Sequence, residues 1–306
     1  MGRLKVVEFI ENKQFDGWPY ENSKYFLTGE YKLHYRIDVP KGREKGKMFM
    51  IHGFGCDTTF YDELVIEYVS KGIRCVRVDL PDFGYSTREL KGIDYVNQVD
   101  MLIELMDYLD SKERKPDKWI VVGHSMGGSV TLDIATRGTE KYKALMLYAP
   151  MFMVNMPPTF SKIFLSNTMG KMLETVFKYV LPYDAVVKFI ILIATMNPCY
   201  VKNYDISKAS TPFKIQDTAK GLCYMSAHAS HPSYESVGKI DIPILLVWGG
   251  LDLFVPPFKV IKLSKALPAE TVIHTIRRAG HCLVQDRAKK CAKYGIAFLK
   301  TNKLYR

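Results

Sequence analysis

Apolar residues along this chain come in two rhythms. Near the N-terminus, Tyr25-Phe26-Leu27 and Tyr31-Lys32-Leu33-His34-Tyr35-Arg36-Ile37 flank Thr28-Gly29-Glu30 and predict a hairpin. From Met48 onward, short apolar or β-branched runs alternate with longer stretches whose apolar positions recur at three and four. The runs at 48–51, 73–80, 119–122 and 144–148 predict buried strands, and 61–69 and 96–109 predict the helices between them. Parallel neighbours need a crossover, which is usually a helix, so this alternation predicts a mostly parallel sheet with helices on both faces.

The alternation stops after Pro150 and resumes with a strand at 242–248, a strand-like 271–274 and a helix from about Val284. Residues 1–150 and 237–306 therefore read as one α/β core, and 151–236 as an inserted helical cap. Seven of the 14 methionines fall in that insertion, which includes a helix-like stretch at 171–180. Most of its Met and Phe side chains are expected to pack the insertion's own core, the remainder lining an adaptable apolar site.

Composition narrows the function classes. With 47% hydrophobic and 25% charged residues, the chain is an ordinary globular one rather than a disordered one. The net charge of +11 is scattered through short runs such as 41–47 and 287–290, with no basic stripe carrying interleaved aromatics. That excludes a nucleic-acid signature and leaves a solvated cationic surface open to transient contact with anionic membranes. The six cysteines form no C-x-x-C pair, so free thiols in a reducing compartment are expected rather than disulfides or zinc. The first residues lack an apolar signal region, and the longest apolar run, 189–194, is too short to span a bilayer. A cytoplasmic location follows as the expectation.

The chemistry concentrates at Gly123-His124-Ser125-Met126-Gly127-Gly128. A strand-like run, Trp119-Ile120-Val121-Val122, leads into it and a helix-forming stretch follows. A serine at such a corner is strained and projects its hydroxyl above the sheet, with Gly123 and Gly127 leaving room for the turn. The Met126 N–H then sits at a helix N-terminus, where it can stabilise an oxyanion. The motif alone also fits a glycine-rich turn, so distant partners must decide.

Serine needs a base, and the base needs a third group to fix its tautomer. In a strand–elbow architecture the chain order is Ser, acid, His. Asp252 follows the strand at 243–248, and His281 lies in Ala279-Gly280-His281-Cys282 after the strand-like 271–274. Both fall on loops at the sheet edge that carries the elbow. The competitors fit less well: His274 lies within a strand, His228 and His231 in the insertion, and His34 and His52 before the serine. Asp241 opens a strand and Asp286 the last helix. A second oxyanion donor is expected from Ile51-His52-Gly53-Phe54-Gly55, where Gly53 and Gly55 let the Phe54 N–H turn toward the substrate. His52 reads as a tie within that loop, and Asp79-Leu80-Pro81-Asp82-Phe83-Gly84-Tyr85-Ser86 as a structural turn.

Taken together, H-G-F-G, G-H-S-M-G-G, D-L-P-D-F-G-Y-S, W-G-G-L-D-L-F-V-P and A-G-H resemble the α/β-hydrolase superfamily, in order, from about residue 48 to 282. The insertion, with Ala149-Pro150-Met151-Phe152 at its start, is similar to the monoacylglycerol lipase, bacterial lysophospholipase and serine aminopeptidase branch. Where monoacylglycerol lipases continue the H-G-x-G loop with Glu-His, this chain has Cys56-Asp57. The resemblance implies a serine hydrolase of small hydrophobic esters, such as a monoacylglycerol or lysophospholipid, needing no metal or organic cofactor. Two alternatives stand beside it. An aminopeptidase would need a cap carboxylate, with Glu174, Asp184 and Asp205 available; a non-catalytic member would only bind a ligand.

Overall fold

The computed structural model describes residues 8–11, 19–88, 95–152, 167–228 and 231–304. The expected hairpin is β1 (Ser23–Thr28) and β2 (Tyr31–Asp38), paired antiparallel across Gly29-Glu30. Six further strands follow: β3 (Gly46–Ile51), β4 (Ile73–Val78), β5 (Trp119–His124), β6 (Tyr142–Tyr148), β7 (Ile244–Gly249) and β8 (Val272–Ile276). They form one sheet in the order β1-β2-β4-β3-β5-β6-β7-β8, parallel from β4 to β8. β2 joins it antiparallel to β4.

Strands β3, β5 and β7 are buried along their whole length, as parallel strands covered on both faces must be. Their side chains alternate between two cores. Phe49, Val121 and Leu246 face one, packed under α2 (Tyr95–Ser111), α3 (Met126–Thr136) and α10 (Pro257–Ala266). Met50, Val122 and Val247 face the other, under α1 (Asp62–Val69) and α12 (Ala288–Thr301).

Between β6 and β7 the chain leaves the sheet for six helices among the described residues. These are α4 (Asn167–Val180), α5 (Asp184–Thr195), α6 (Pro198–Asn203), α7 (Ile206–Ser210), α8 (Thr218–His228) and α9 (Tyr234–Gly238). The expected stretch 171–180 lies inside α4, and the boundary expected at 236 falls inside α9. Residues 153–166 and 229–230 of the expected insertion, like the N-terminal 1–7, lie outside the described residues. Leu222 and Met225 of α8 join the sheet core, whereas Val187, Ile191 and Val201 make a small core of their own.

Two readings need correction. Asp286 does not open the last helix. It closes the short α11 (Leu283–Asp286), and Arg287, at φ −125° and ψ 25°, breaks the path before α12. Asp241 precedes its strand, because Pro243 lacks the N–H for a ladder bond and β7 starts at Ile244. Among the described residues no helix is long and apolar enough to cross a membrane.

Candidate active site

β5 passes into α3 through Ser125 alone, which is held at φ +52° and ψ −120°. A non-glycine residue in that region costs on the order of 1–3 kcal/mol and persists only where its surroundings over-determine it. Here they do: Ser125 N–H donates to Tyr148 O at 3.1 Å, while Gly128 and Met151 N–H both donate to Ser125 O at 2.9 Å. The flanking glycines are dictated by contact. A Cβ on Gly127 would lie 2.2 Å from Ile51 O, and one on Gly123 would lie 2.3 Å from Gly127 O. Met126 is the first residue of α3 and is buried, so its N–H has no acceptor within the helix.

The loop after β3 passes directly over this corner, since a Cβ built on Gly53 would meet Ser125 Cβ at 3.0 Å. His52 ties the loop at both ring nitrogens: Nδ1–H donates to Gly53 O at 2.7 Å, and Nε2 accepts from Leu80 N–H at 3.0 Å. Burial lowers its pKa, so the ring is neutral and fully engaged. Phe54, between Gly53 and a left-handed Gly55 (φ +68°), lines the cavity above Ser125. The segment after β4 braces the same loop. Buried Asp79 accepts Thr58 N–H at 2.5 Å and Tyr85 N–H at 2.8 Å, with His34 Nδ1 at 2.7 Å. Burial pushes that carboxyl up, but His34 and the other donors outweigh it and hold it below its ordinary value.

Asp252 lies three residues past the end of β7. Its Oδ1 accepts the N–H groups of Phe254 and Val255 at 2.9 and 2.8 Å, which aims Oδ2 at His281 Nδ1, 2.8 Å away. The loop bearing His281 is held on three sides. His124 Nε2–H donates to His281 O at 3.0 Å, and Leu251 N–H to Ala279 O at 2.8 Å. From the insertion, Thr195 O and Ala194 O accept Gly280 and Cys282 N–H at 3.2 and 3.0 Å. Ser125 and His281 line the same cavity, with no hydrogen bond between the hydroxyl and the imidazole. Such bonds are often long in ligand-free active sites and tighten when substrate binds.

His124 was not among the candidates read from the sequence, because its place inside the elbow hid its role. Its ring packs between Phe60 and His281, at centroid distances of 4.3 and 4.7 Å. Burial and then the neighbouring His281 hold its pKa well below the ordinary value, so it stays a neutral spacer.

The cavity over these groups holds about 780 Å³. Phe177, Leu181, Val187, Ile190, Leu222 and Met225 make most of it apolar, and Asp57, Thr59, Tyr204 and Gln285 form a polar corner. His231, placed in the insertion from sequence, also reaches the cavity, where Nδ1–H meets Ser129 Oγ at 2.9 Å. Burial, helped by Lys259, lowers its pKa to about 4. None of the three carboxylates available to an aminopeptidase reading, Glu174, Asp184 and Asp205, lines this space. Asp184 binds Ser210, Asp205 caps α7 through Ser207, and Glu174 lines a separate small pocket. Among the described residues, no cluster of His, Cys, Asp or Glu is arranged to hold a metal ion.

The sequence profile described as serine aminopeptidase, S33, matches residues 42–288. The hydrolase YugF of Bacillus subtilis is 24% identical over 281 residues, covering 90% of this chain and 97% of its own. The monoacylglycerol lipase abhd6-B of Xenopus laevis is 22% identical over 300 residues, covering 91% and 82%. Among solved structures, the enol-lactonase of Burkholderia xenovorans LB400 superposes with a TM-score of 0.72 at 19% identity, covering 90% of this chain and all of that one.

Proposed function

This chain belongs to the serine aminopeptidase S33 family of α/β-hydrolases, and from that membership we propose that it is a serine-dependent carboxylic ester hydrolase acting on a small lipid or similar hydrophobic ester. The observation that carries the reading is the Asp252–His281 pair facing the same apolar cavity as a strained, overhung Ser125. In this mechanism His281 Nε2 takes the Ser125 proton as the hydroxyl attacks the ester carbonyl. Asp252 holds Nδ1 protonated and stabilises the imidazolium. The Met126 and Phe54 N–H groups receive the developing oxyanion. His281 then protonates the leaving alcohol, and water releases the acyl group by the same route.

Residues 151–236 serve as a cap over the cavity in this reading, and their apolar lining supports an acyl chain as occupant. At the mouth, Phe189 and Phe254 line the cavity and are also 61% and 52% exposed. With the +11 net charge, this rim supports transient contact with an anionic lipid surface. Six free thiols support a reducing, cytoplasmic setting. An amide substrate is disfavoured because no cap carboxylate among the candidates reaches the cavity to hold a free amine.

Ser125→Ala tests the assignment. Esterase activity should fall by about 10⁶, and labelling by a fluorophosphonate probe should vanish. Near-normal turnover in the variant would refute it.

A further inference from the structure

His231 is a titratable group on the cavity wall that the proposed reaction does not use. Its Nδ1–H is spent on Ser129 Oγ, and the Ser129 hydroxyl in turn donates to Met151 O. Ser129 is fully buried and does not line the cavity, whereas His231 does. The ring therefore turns its Nδ1 edge inward and leaves Nε2 on the cavity side, where it meets no partner among the described residues. With the proton on Nδ1, Nε2 is a lone-pair acceptor. Burial and the charge of Lys259 keep the ring neutral, so it remains an acceptor at ordinary pH. Ser226 adds a second one: its hydroxyl proton goes to Leu222 O at 2.8 Å, which leaves only lone pairs to offer the cavity it lines.

An acceptor set in an apolar wall is costly unless a ligand supplies the donor. The charge of that donor is limited. Lys259 disfavours a cation beside His231, and among the described residues no Lys or Arg lines the cavity to hold an anion. A hydroxyl is the smallest neutral donor that an apolar chain can carry into such a space. Which part of the ester meets His231 follows from the two faces of the sheet. Phe152, whose ring lies 6.3 Å from His231, belongs with Leu222 and Met225 to the core under α2 and α3. Ala279 and Cys282 of the His281 loop, with Ala194 that holds it, belong to the core on the other face. His281 protonates the leaving alcohol, so the alcohol departs on its side and the acyl chain takes the side of His231. Ser129 is one helical turn from Ser125, a rise of about 6 Å, so a hydroxyl met there stands several bonds from the ester carbonyl.

We propose that His231, seconded by Ser226, is a specificity-determining residue that selects acyl chains carrying a hydroxyl group several bonds from the ester carbonyl. The proposal rests on the ester-hydrolase reading for its catalytic consequence and on the open acceptors for the binding itself.

The test compares nitrophenyl dodecanoate with nitrophenyl dodecanoates hydroxylated at successive carbons. In the wild type one positional isomer should exceed the plain ester in kcat/KM by about tenfold, as for one hydrogen bond. His231→Asn keeps an amide N–H at the place of Nδ1 for Ser129 and lacks Nε2, so the preference should vanish. His231→Gln, whose amide oxygen reaches the place of Nε2, should recover part of it. Melting temperatures check that both variants fold. A second arm measures calorimetric binding of the same ester pair to Ser125→Ala, with and without His231→Asn, where the ratio of Kd values should move alike. The proposal is overturned if no isomer is preferred to the plain ester, if the preference survives His231→Asn, or if a chain ending in a carboxylate binds more tightly. A gain for hydroxybutyl over butyl dodecanoate that His231→Asn abolishes would overturn it too, by placing the hydroxyl on the alcohol. Absence of turnover and of fluorophosphonate labelling in the wild type would instead overturn the hydrolase reading, and the binding arm would still decide the role of His231.

Discussion

Replacing Asp252 by asparagine removes one charge and keeps the side-chain shape, and the structure dictates how the new amide must sit. The Phe254 and Val255 N–H groups, at 2.9 and 2.8 Å, require an acceptor at the Oδ1 position. The asparagine oxygen satisfies them, which turns its NH₂ toward His281 Nδ1, where Oδ2 now lies at 2.8 Å. That donor forces Nδ1 to become an acceptor, so the proton moves to Nε2 and the ring can no longer take one from Ser125. Loss of the charge-assisted bond alone would cost about 1.5–3 kcal/mol, on the order of 10- to 100-fold in rate. Tautomer inversion raises the expected fall in kcat to about 10⁴, near 5.5 kcal/mol of transition-state stabilisation. The assay is kcat on a water-soluble aryl ester at neutral pH, with thermal unfolding as a control for folding. A fall of less than about 100-fold in a protein of wild-type melting temperature would refute the orientation argument, because the charge would then account for all of it.

Gly127→Ala sets a Cβ 2.2 Å from Ile51 O and 2.5 Å from His52 O, contacts that only movement of β3 or α3 can relieve. A loss of at least 1–3 kcal/mol in stability and a drop of about 100-fold in kcat are expected, read by thermal unfolding and ester turnover. Wild-type values for both would show that the elbow does not need this glycine. Asp57→Asn tests the buried carboxyl, which burial and the charge of Asp79 push from 3.8 up to about 7. A raised folded pKa means that stability is complete below the unfolded value and is lost as pH climbs through the folded one. Asparagine keeps the oxygen that Thr59 uses and never ionises, so its advantage in melting temperature over wild type should grow from about pH 5 to about pH 8. An advantage that is flat or shrinking over that range would contradict the assignment.

The strands and the elbow were legible in the sequence because each depends on local pattern. The runs at 48–51 and 119–122 read as buried strands, and Gly123 and Gly127 flank a serine at spacings that an elbow demands. Chain order then singled out Asp252 and His281 from several acids and histidines. Local pattern failed at 283–288, where one helix was expected and Arg287 divides the segment into α11 and α12. It also gave no role to His124, which looks like a motif filler until the fold sets its ring 4.7 Å from His281.

The sequence by itself determined the sheet, the order of its candidate groups and the corner that strains Ser125, since hydrophobic period and glycine spacing are properties of neighbours. Only tertiary structure decided what faces the cavity. Gln285 lies on the short α11, and Tyr204 between α6 and α7, on a stretch with no strand register to fix it. Their meeting with Asp57 depends on packing across residues far apart in the chain. The same holds for the carbonyls of Ala194 and Thr195, which end α5 and hold the peptide groups on either side of His281. Helix ends leave such carbonyls open, and which donors fill them is set by where the helix lands rather than by its sequence.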